Sequence, residues 1–234
     1  MSEHTFKQFD VELESLRNRV LQMGGLVEQQ VRRALEAVYS ADERILKEVI
    51  SADNSVDTLE LEIDEACTHI IARRQPTAVD LRMITTVLKM INDLERVGDK
   101  AHKIARLALS LHHDSGNALP DIELRPIAET ALSMLSKSLD AFARLDLRSA
   151  SEVIHKDDIV NNGFKGIMRE IVTFMMEDPR KISRSLDVMF MAKAIERIGD
   201  HSRNIAEYVV YLAKGKTVRH LPIEQIDAEI ARSA

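Results

Sequence analysis

A chain of 234 residues, 45% hydrophobic and 30% charged, can bury one large core or two small ones without special staples. Its 32 basic and 38 acidic residues give a net charge of −6, which argues against a nucleic-acid binder that relies on a basic face. Trp is absent, aromatics make up 4%, and only 8 Gly and 5 Pro supply turns, so long helices are favoured over many short strands.

The N-terminal stretch MSEHTFKQFDVELE is polar and acidic, unlike a secretory signal, and no run of about 18 apolar residues follows that could span a membrane. The first periodic segment runs from about Phe9 to Tyr39. Leu13, Leu16, Val20, Met23, Val27, Val31, Leu35 and Val38 recur there at spacings of three and four, one apolar stripe on a helix. Ser40-Ala-Asp-Glu43 has the form of a capping box and opens a second helix, expected to reach about Arg73 without a break. The single cysteine, Cys67, lies inside that helix and reads as a core residue of a chain in a reducing compartment. Pro76 suits a first helical turn, and a third helix is expected to about His112.

HDSGNALPD, residues 113–121, is the one loop-rich interior stretch. Beyond it the pattern restarts, with helices expected from about Ile122 to Arg144, Leu147 to Glu177 and Arg180 to Ala213. Asp178-Pro179 punctuates the second break and Gly215 fits a helix C-terminus. The methionines of MMEDP and DVMFMA, at helical spacing, read as core filling. The halves superimpose: Asp53 falls on Asp157 at an offset of 104 residues, Pro76 on Pro179 at 103 and Glu95 on Glu196 at 101. The pattern predicts an all-α protein of two pseudo-symmetric three-helix bundles, six long antiparallel helices, in residues 1–113 and 121–215, with a tail at 216–234 that carries no motif.

Each third helix carries Glu-Arg-x-Gly-Asp, as DLERVGDKAHKIA and AIERIGDHSRNIA. Residues four apart on a helix project about 40° apart and about 6 Å along the axis, so Glu95 shares a face with Asp99 and Glu196 with Asp200. The second helices offer matching pairs, Asp53 with Asp57 and Asp157 with Asn161, and antiparallel packing would bring four oxygen-bearing side chains together in each half. Clustered carboxylates repel unless a cation neutralises them, and oxygen ligands suit Mg, Ca, Mn and Fe. The competing reading is a pair of solvated helix faces in which Arg96 and Arg197 make weak surface pairs with the acids. Gly98 and Gly199 leave room for a neighbouring helix or for metal-bound waters, and alanine in their place is expected to crowd the ligands. Asp99-x-x-His102 and Glu152-x-x-His155 look like the acid-x-x-His pairs of ferritin-like di-metal enzymes. The two histidines do not occupy equivalent positions, so both read as surface residues. The sequence shows no convergent basic pocket to receive phosphate, and it carries no phosphate loop or nucleophile elbow.

The stretches LELEIDEACTHIIARRQP, DLERVGDKAHKIA, VTFMMEDPR and AIERIGDHSRNIAEYV together resemble the PhoU family of phosphate-uptake regulators, from about Phe6 to Gly215. The resemblance implies a cytoplasmic bacterial regulator, not an enzyme, that damps the phosphate-starvation response when phosphate is plentiful. It implies a homodimer that links the ATPase subunit of a phosphate ABC transporter to a sensor histidine kinase. It also implies metal ions of uncertain identity (Fe, Mn, Mg, Zn or Ca) at the paired motifs, here Asp53, Asp57, Glu95, Asp99, Asp157, Asn161, Glu196 and Asp200. Asn161 departs from the all-acid pattern and removes one formal charge from the second set. A ferritin-like di-metal bundle enzyme and a structural dimer with merely solvated acids are the rival readings.

Overall fold

The computed structural model describes residues 2–40, 42–113 and 122–232, with the side chains of residues 2–6, 53 and 54 outside that description. Phe6 and Asp53 thus have no described side chain, and Ala41 and residues 114–121 of the expected loop lie outside the described residues. The architecture is all-α, two similar three-helix units packed side by side. The first comprises α1 (Ser2–Ser40), α2 (Glu43–Ser51) with α3 (Asp53–Arg74), and α4 (Ala78–His113). The second comprises α5 (Arg125–Arg144), α6 (Leu147–Glu177) and α7 (Ile182–Lys214), the last entered through a 3-10 turn at Pro179–Lys181. A further helix, α8 (Ile223–Ala231), lies in the stretch where the sequence shows no motif. No described helix is long and apolar enough to cross a membrane.

The α1 stripe packs as its spacing predicts: Leu16, Val20, Met23, Val27, Val31 and Leu35 are buried. Cys67 is fully buried, and burial pushes its thiol up to about 12, so it is an inert core group. The methionines divide. Met191 is buried, while Met176 is 80% exposed because it lies on the outer face of the last turn of α6.

Helix ends follow local chemistry. Asp42, not Ser40, caps α2, its Oδ1 accepting from the backbone N–H of Arg44 at 3.0 Å and of Ile45 at 3.2 Å. Asp146 caps α6 in the same way through Arg148 and Ser149. Gly215 ends α7 in the left-handed conformation at φ 73°, its N–H donating to the Tyr211 carbonyl at 2.8 Å.

The main departure from expectation is the break at Ala52, which divides the second helix into α2 and α3. Ser51, Asp53 and Asn54 are poor helix formers whose side chains compete for backbone groups. Here Ser51 Oγ donates to the Glu48 carbonyl at 2.9 Å. Gln30, buried on α1, donates from Nε2 to the Ala52 carbonyl at 3.1 Å, which also accepts the Ser55 backbone N–H at 3.2 Å in the first turn of α3. In the second unit Met134 stands in register with Gln30 and cannot donate, and α6 runs unbroken.

Among the described residues, two pairs of helices join the units. Along α1 and α5, Arg17 donates to the carbonyls of Phe142 and Ala143, and Arg125 stacks 4.3 Å over the Tyr39 ring. The third helices α4 and α7 run antiparallel, with Arg82 donating to the Leu212 carbonyl at one end and Arg184 to the Leu111 carbonyl at the other. α8 folds back on α6, burying Ile226 and tying Asp227 to Ser151 Oγ at 3.0 Å and to His155 Nε2 at 3.1 Å.

Candidate metal clefts on the third helices

Both Glu-Arg-x-Gly-Asp blocks lie mid-helix, where α4 and α7 each face the second helix of their own unit and flank one another. In the first unit, Asp57 and Glu60 of α3 and Glu95 and Asp99 of α4 line one open cleft of about 640 Å³. Arg197 and His201 of α7 form its far bank, so the second block contributes to the first block's cleft. Asp57 and Asp99 are exposed and Glu95 is half-buried. Burial, then repulsion from Asp99, Asp57 and Glu60, holds the Glu95 carboxyl above the usual carboxylate range, with Arg96 opposing. The backbone of Asp53 starts α3, but its side chain lies outside the described set.

The second unit places Asp157, Asn161, Glu196 and Asp200 at the matching positions, and there the acids are already partnered. Asp157, 4% exposed, accepts at Oδ2 from Arg203 Nη1 at 2.9 Å and Asn161 Nδ2 at 3.1 Å. Glu196, 8% exposed, pairs with Lys193 at 2.6 Å, and Asp200 with Arg197 at 3.0 Å. Even so, Asp157 Oδ1 is buried without a hydrogen-bond partner. Burial, with repulsion from Glu196 and Asp157, raises the Asp200 pKa against Arg197 and Lys193. The asymmetry follows from two positions: Lys193 and Arg203 stand in register with Asn92 and His102, so the first cleft lacks both cations. Buried carboxylates need such partners, whereas exposed ones are screened by water.

All-oxygen donors with unbalanced repulsion suit a hard cation. As the side chains stand, no three His, Cys, Asp or Glu residues among those described form a group that could hold a metal ion. A cation would therefore need side-chain rotation in the first cleft, where the acids are exposed. In the second it would need displacement of Lys193, Arg197 and Arg203.

The two glycines face away from the acids. A methyl on Gly98 would meet Gln30 Oε1 at 3.5 Å and Val56 Cγ1 at 3.7 Å; one on Gly199 would meet Val160 Cγ1 at 3.4 Å. Their free space adjoins the neighbouring helix, and the expected crowding of the acids by alanine does not fit this geometry. At Gly98 the space also admits Gln30, the residue that bonds the Ala52 carbonyl at the break before α3.

His155 is engaged by α8, and His102 lies on an adjoining groove with Lys103 and Arg106 that shares Asp99 and Lys100 with the acid cleft. A buried network was missed from sequence: Asp93 of α4 accepts from Asn204 at 3.1 Å and Tyr208 at 2.8 Å and contacts His201 Nδ1 at 2.6 Å. Burial pushes the Asp93 carboxyl up, but these hydrogen bonds outweigh it and its pKa is lowered. The sequence did hold a signal, since positions 201, 204 and 208 lie on one face of α7 and interrupt an otherwise apolar stripe.

A family model described as the PhoU domain matches this chain twice, at residues 20–108 and 124–209. The phosphate-specific transport system accessory protein PhoU homolog of Pseudomonas aeruginosa is 44% identical over 98% of this chain and 95% of its own length. The phosphate-specific transport system accessory protein PhoU of Escherichia coli K12 is 42% identical over 99% of this chain and 95% of its own. The crystal structure of PhoU from Pseudomonas aeruginosa superimposes with a TM-score of 0.86 at 45% identity, covering 89% of this chain and 100% of that one. A phosphate transport system regulatory protein PhoU from Streptococcus pneumoniae superimposes at 0.82 with 29% identity, covering 90% and 99%.

Proposed function

The chain belongs to the PhoU family, and from that premise we propose that it is an accessory regulator of phosphate uptake that represses the phosphate-starvation response when phosphate is plentiful. The observation that carries this reading is the full-length match to accessory proteins of the phosphate-specific transport system, with the same duplicated fold. The chain works in the cytoplasm as a homodimeric adaptor between the ATPase subunit of a phosphate ABC transporter and a sensor histidine kinase. It acts through binding and not as an enzyme.

Metal at the paired acids tunes the surface these partners meet. Asp57, Glu95 and Asp99, with Asp53, would hold the ion in the first unit. Asp157, Asn161, Glu196 and Asp200 would hold it in the second. Support comes from the mutual repulsion that lifts Glu95 and from the unpartnered Asp157 Oδ1. The first cleft is the readier of the two, since Asp57 and Asp99 are exposed there, whereas Asp157 and Glu196 are buried against Arg203 and Lys193.

Two measurements test the reading. A strain lacking the gene should express phosphate-starvation genes in phosphate-rich medium, and the intact gene should restore repression; normal repression in the deletion strain would refute the role. Metal analysis of the purified protein during mild chelation should show the first cleft retaining its ion longer, and E95Q/D99N should abolish that retained fraction.

A further inference from the structure

The outer face of α4 beyond the acid cleft forms a groove of about 510 Å³, lined by Lys100, His102, Lys103, Arg106 and Ser110, with Asp99 at its near end. Its size lies within the range of small-ligand clefts. Lys100, Lys103 and Arg106 recur at intervals of three residues, so they form a ladder of cations along about 9 Å of helix axis. Among the described residues, neither Lys100 nor Arg106 makes an ion pair. Lys103 Nζ is held 5.0 Å above the Phe190 ring of α7. In the second unit the equivalent positions are consumed internally. His201 and Asn204, in register with Lys100 and Lys103, bind Asp93, and Glu207, in register with Arg106, pairs with Arg203 at 3.0 Å. The ladder is therefore a property of the first unit alone, on a chain whose net charge is −6.

We propose that this groove binds a small anion carrying two or more phosphoryl groups, of the pyrophosphate or nucleoside diphosphate class, through Lys100, Lys103 and Arg106. The spacing decides the class. One tetrahedral anion reaches two neighbouring cations at most, whereas linked phosphoryl groups can meet each in turn. The Arg106 guanidinium offers paired N–H donors to one phosphoryl group, the two ammonium groups supply point charges, and Ser110 offers a hydroxyl at the far end. The C-terminal dipole of α4, which disfavours anions, acts over its last turn and leaves the ladder outside its reach. The carboxylate of Asp99 closes the groove on the side of the acid cleft, limiting how far an anion can slide.

The test is calorimetric titration of the full chain with pyrophosphate and with ADP, in chelator-treated buffer so that pyrophosphate does not act by capturing metal. Both should bind at one site per chain, with affinity that falls as salt rises. The variant K103Q/R106Q should weaken binding by about tenfold or more. K165Q/R169Q, which removes the same charge from the exposed face of α6, should leave it unchanged. Absence of binding to the wild-type chain, or equal weakening by both double variants, would overturn the proposal. Equally tight binding of sulfate would overturn the requirement for linked phosphoryl groups. Retention by phosphatidylglycerol vesicles without soluble-anion binding would assign the face to a membrane instead.

Discussion

Alanine at Gly98 isolates what that glycine does. A helix-interior glycine is about 1 kcal/mol less favourable than alanine. The added methyl would rest 3.5 Å from Gln30 Oε1 and 3.7 Å from Val56 Cγ1, ordinary contact distances that require no displacement. The expected balance for G98A is a gain of about 0.5–1 kcal/mol, or a rise in Tm of about 1–4 °C for a chain of this size. G199A, with its methyl 3.4 Å from a stiff valine, should gain less. G163A is the contrasting case, because its methyl would overlap Cγ2 of Ile127, whose β-branch cannot swing away. Overpacking of that kind costs about 1–3 kcal/mol and should lower Tm despite better helix propensity. Thermal melts followed at 222 nm, with metal titration of each variant, make the assay. G98A and G199A should bind metal as the wild type does, since neither methyl points at an acid. A clear fall in Tm for G98A, or loss of metal binding with unchanged Tm, would refute this packing argument.

Replacing Gln30 by Met, its counterpart in the second unit, should leave the Ala52 carbonyl with the Ser55 N–H as its one donor and lower stability by about 1 kcal/mol or less; amide exchange at residues 52–56 should quicken if the break depends on the Gln30 bond. Asp93→Ala removes the shared acceptor of three α7 side chains and should cost about 3 kcal/mol or more, seen as a fall in the denaturant midpoint. The pH dependence has two opposite signs. Glu95 and Asp200 have raised folded pKa values, so their contribution favours the folded state below the unfolded value and is lost as pH rises through the folded one; E95Q and D200N should therefore stabilise the metal-free protein at neutral pH. Asp93 has a lowered folded pKa, so its contribution is present above the unfolded value and disappears as pH falls through the folded one, and D93N should flatten the acid limb of the stability curve.

Most of the fold was legible because long apolar stripes and end signals act locally. The α1 stripe, the Pro179 turn and the Gly215 cap each depend on residues within a few positions of one another. The break at Ala52 was not legible. Gln30, which bonds the Ala52 carbonyl, lies 22 residues away, and buried apolar residues continue across the break from Leu46 and Val49 to Val56 and Ile63. α8 escaped for a related reason: its nine residues become a helix where Ile226 finds a core to enter and Asp227 finds Ser151 and His155.

The acids of the candidate site were legible as pairs, since i and i+4 spacing fixes a shared face. Their electrostatic state was not, because it depends on which cations the fold brings to each pair. Lys193 and Arg197 sit beside their acids in sequence, but Arg203 reaches Asp157 across 46 positions and could not be assigned without the packing. Duplication makes the comparison informative, because the two units share a backbone plan and keep the Glu-Arg-x-Gly-Asp block while the residues around it differ. Asn92 and His102 replace Lys193 and Arg203, and the first cleft keeps exposed, mutually repelling carboxylates. In the second unit the same register carries cations, and Asp157 and Glu196 can be buried. Across the α4–α7 junction, the second unit spends His201, Asn204 and Tyr208 on Asp93, leaving α4 with Lys100, Lys103 and Arg106 facing outward. Opposite charges thus come to adjoin on one helix of the first unit, the acid cleft followed by the cation ladder, while the second unit neutralises itself. Duplication has in this way produced one register in which the acids of the third helix pair with cations, and another in which Lys100 and Arg106 carry no ion pair among the described residues.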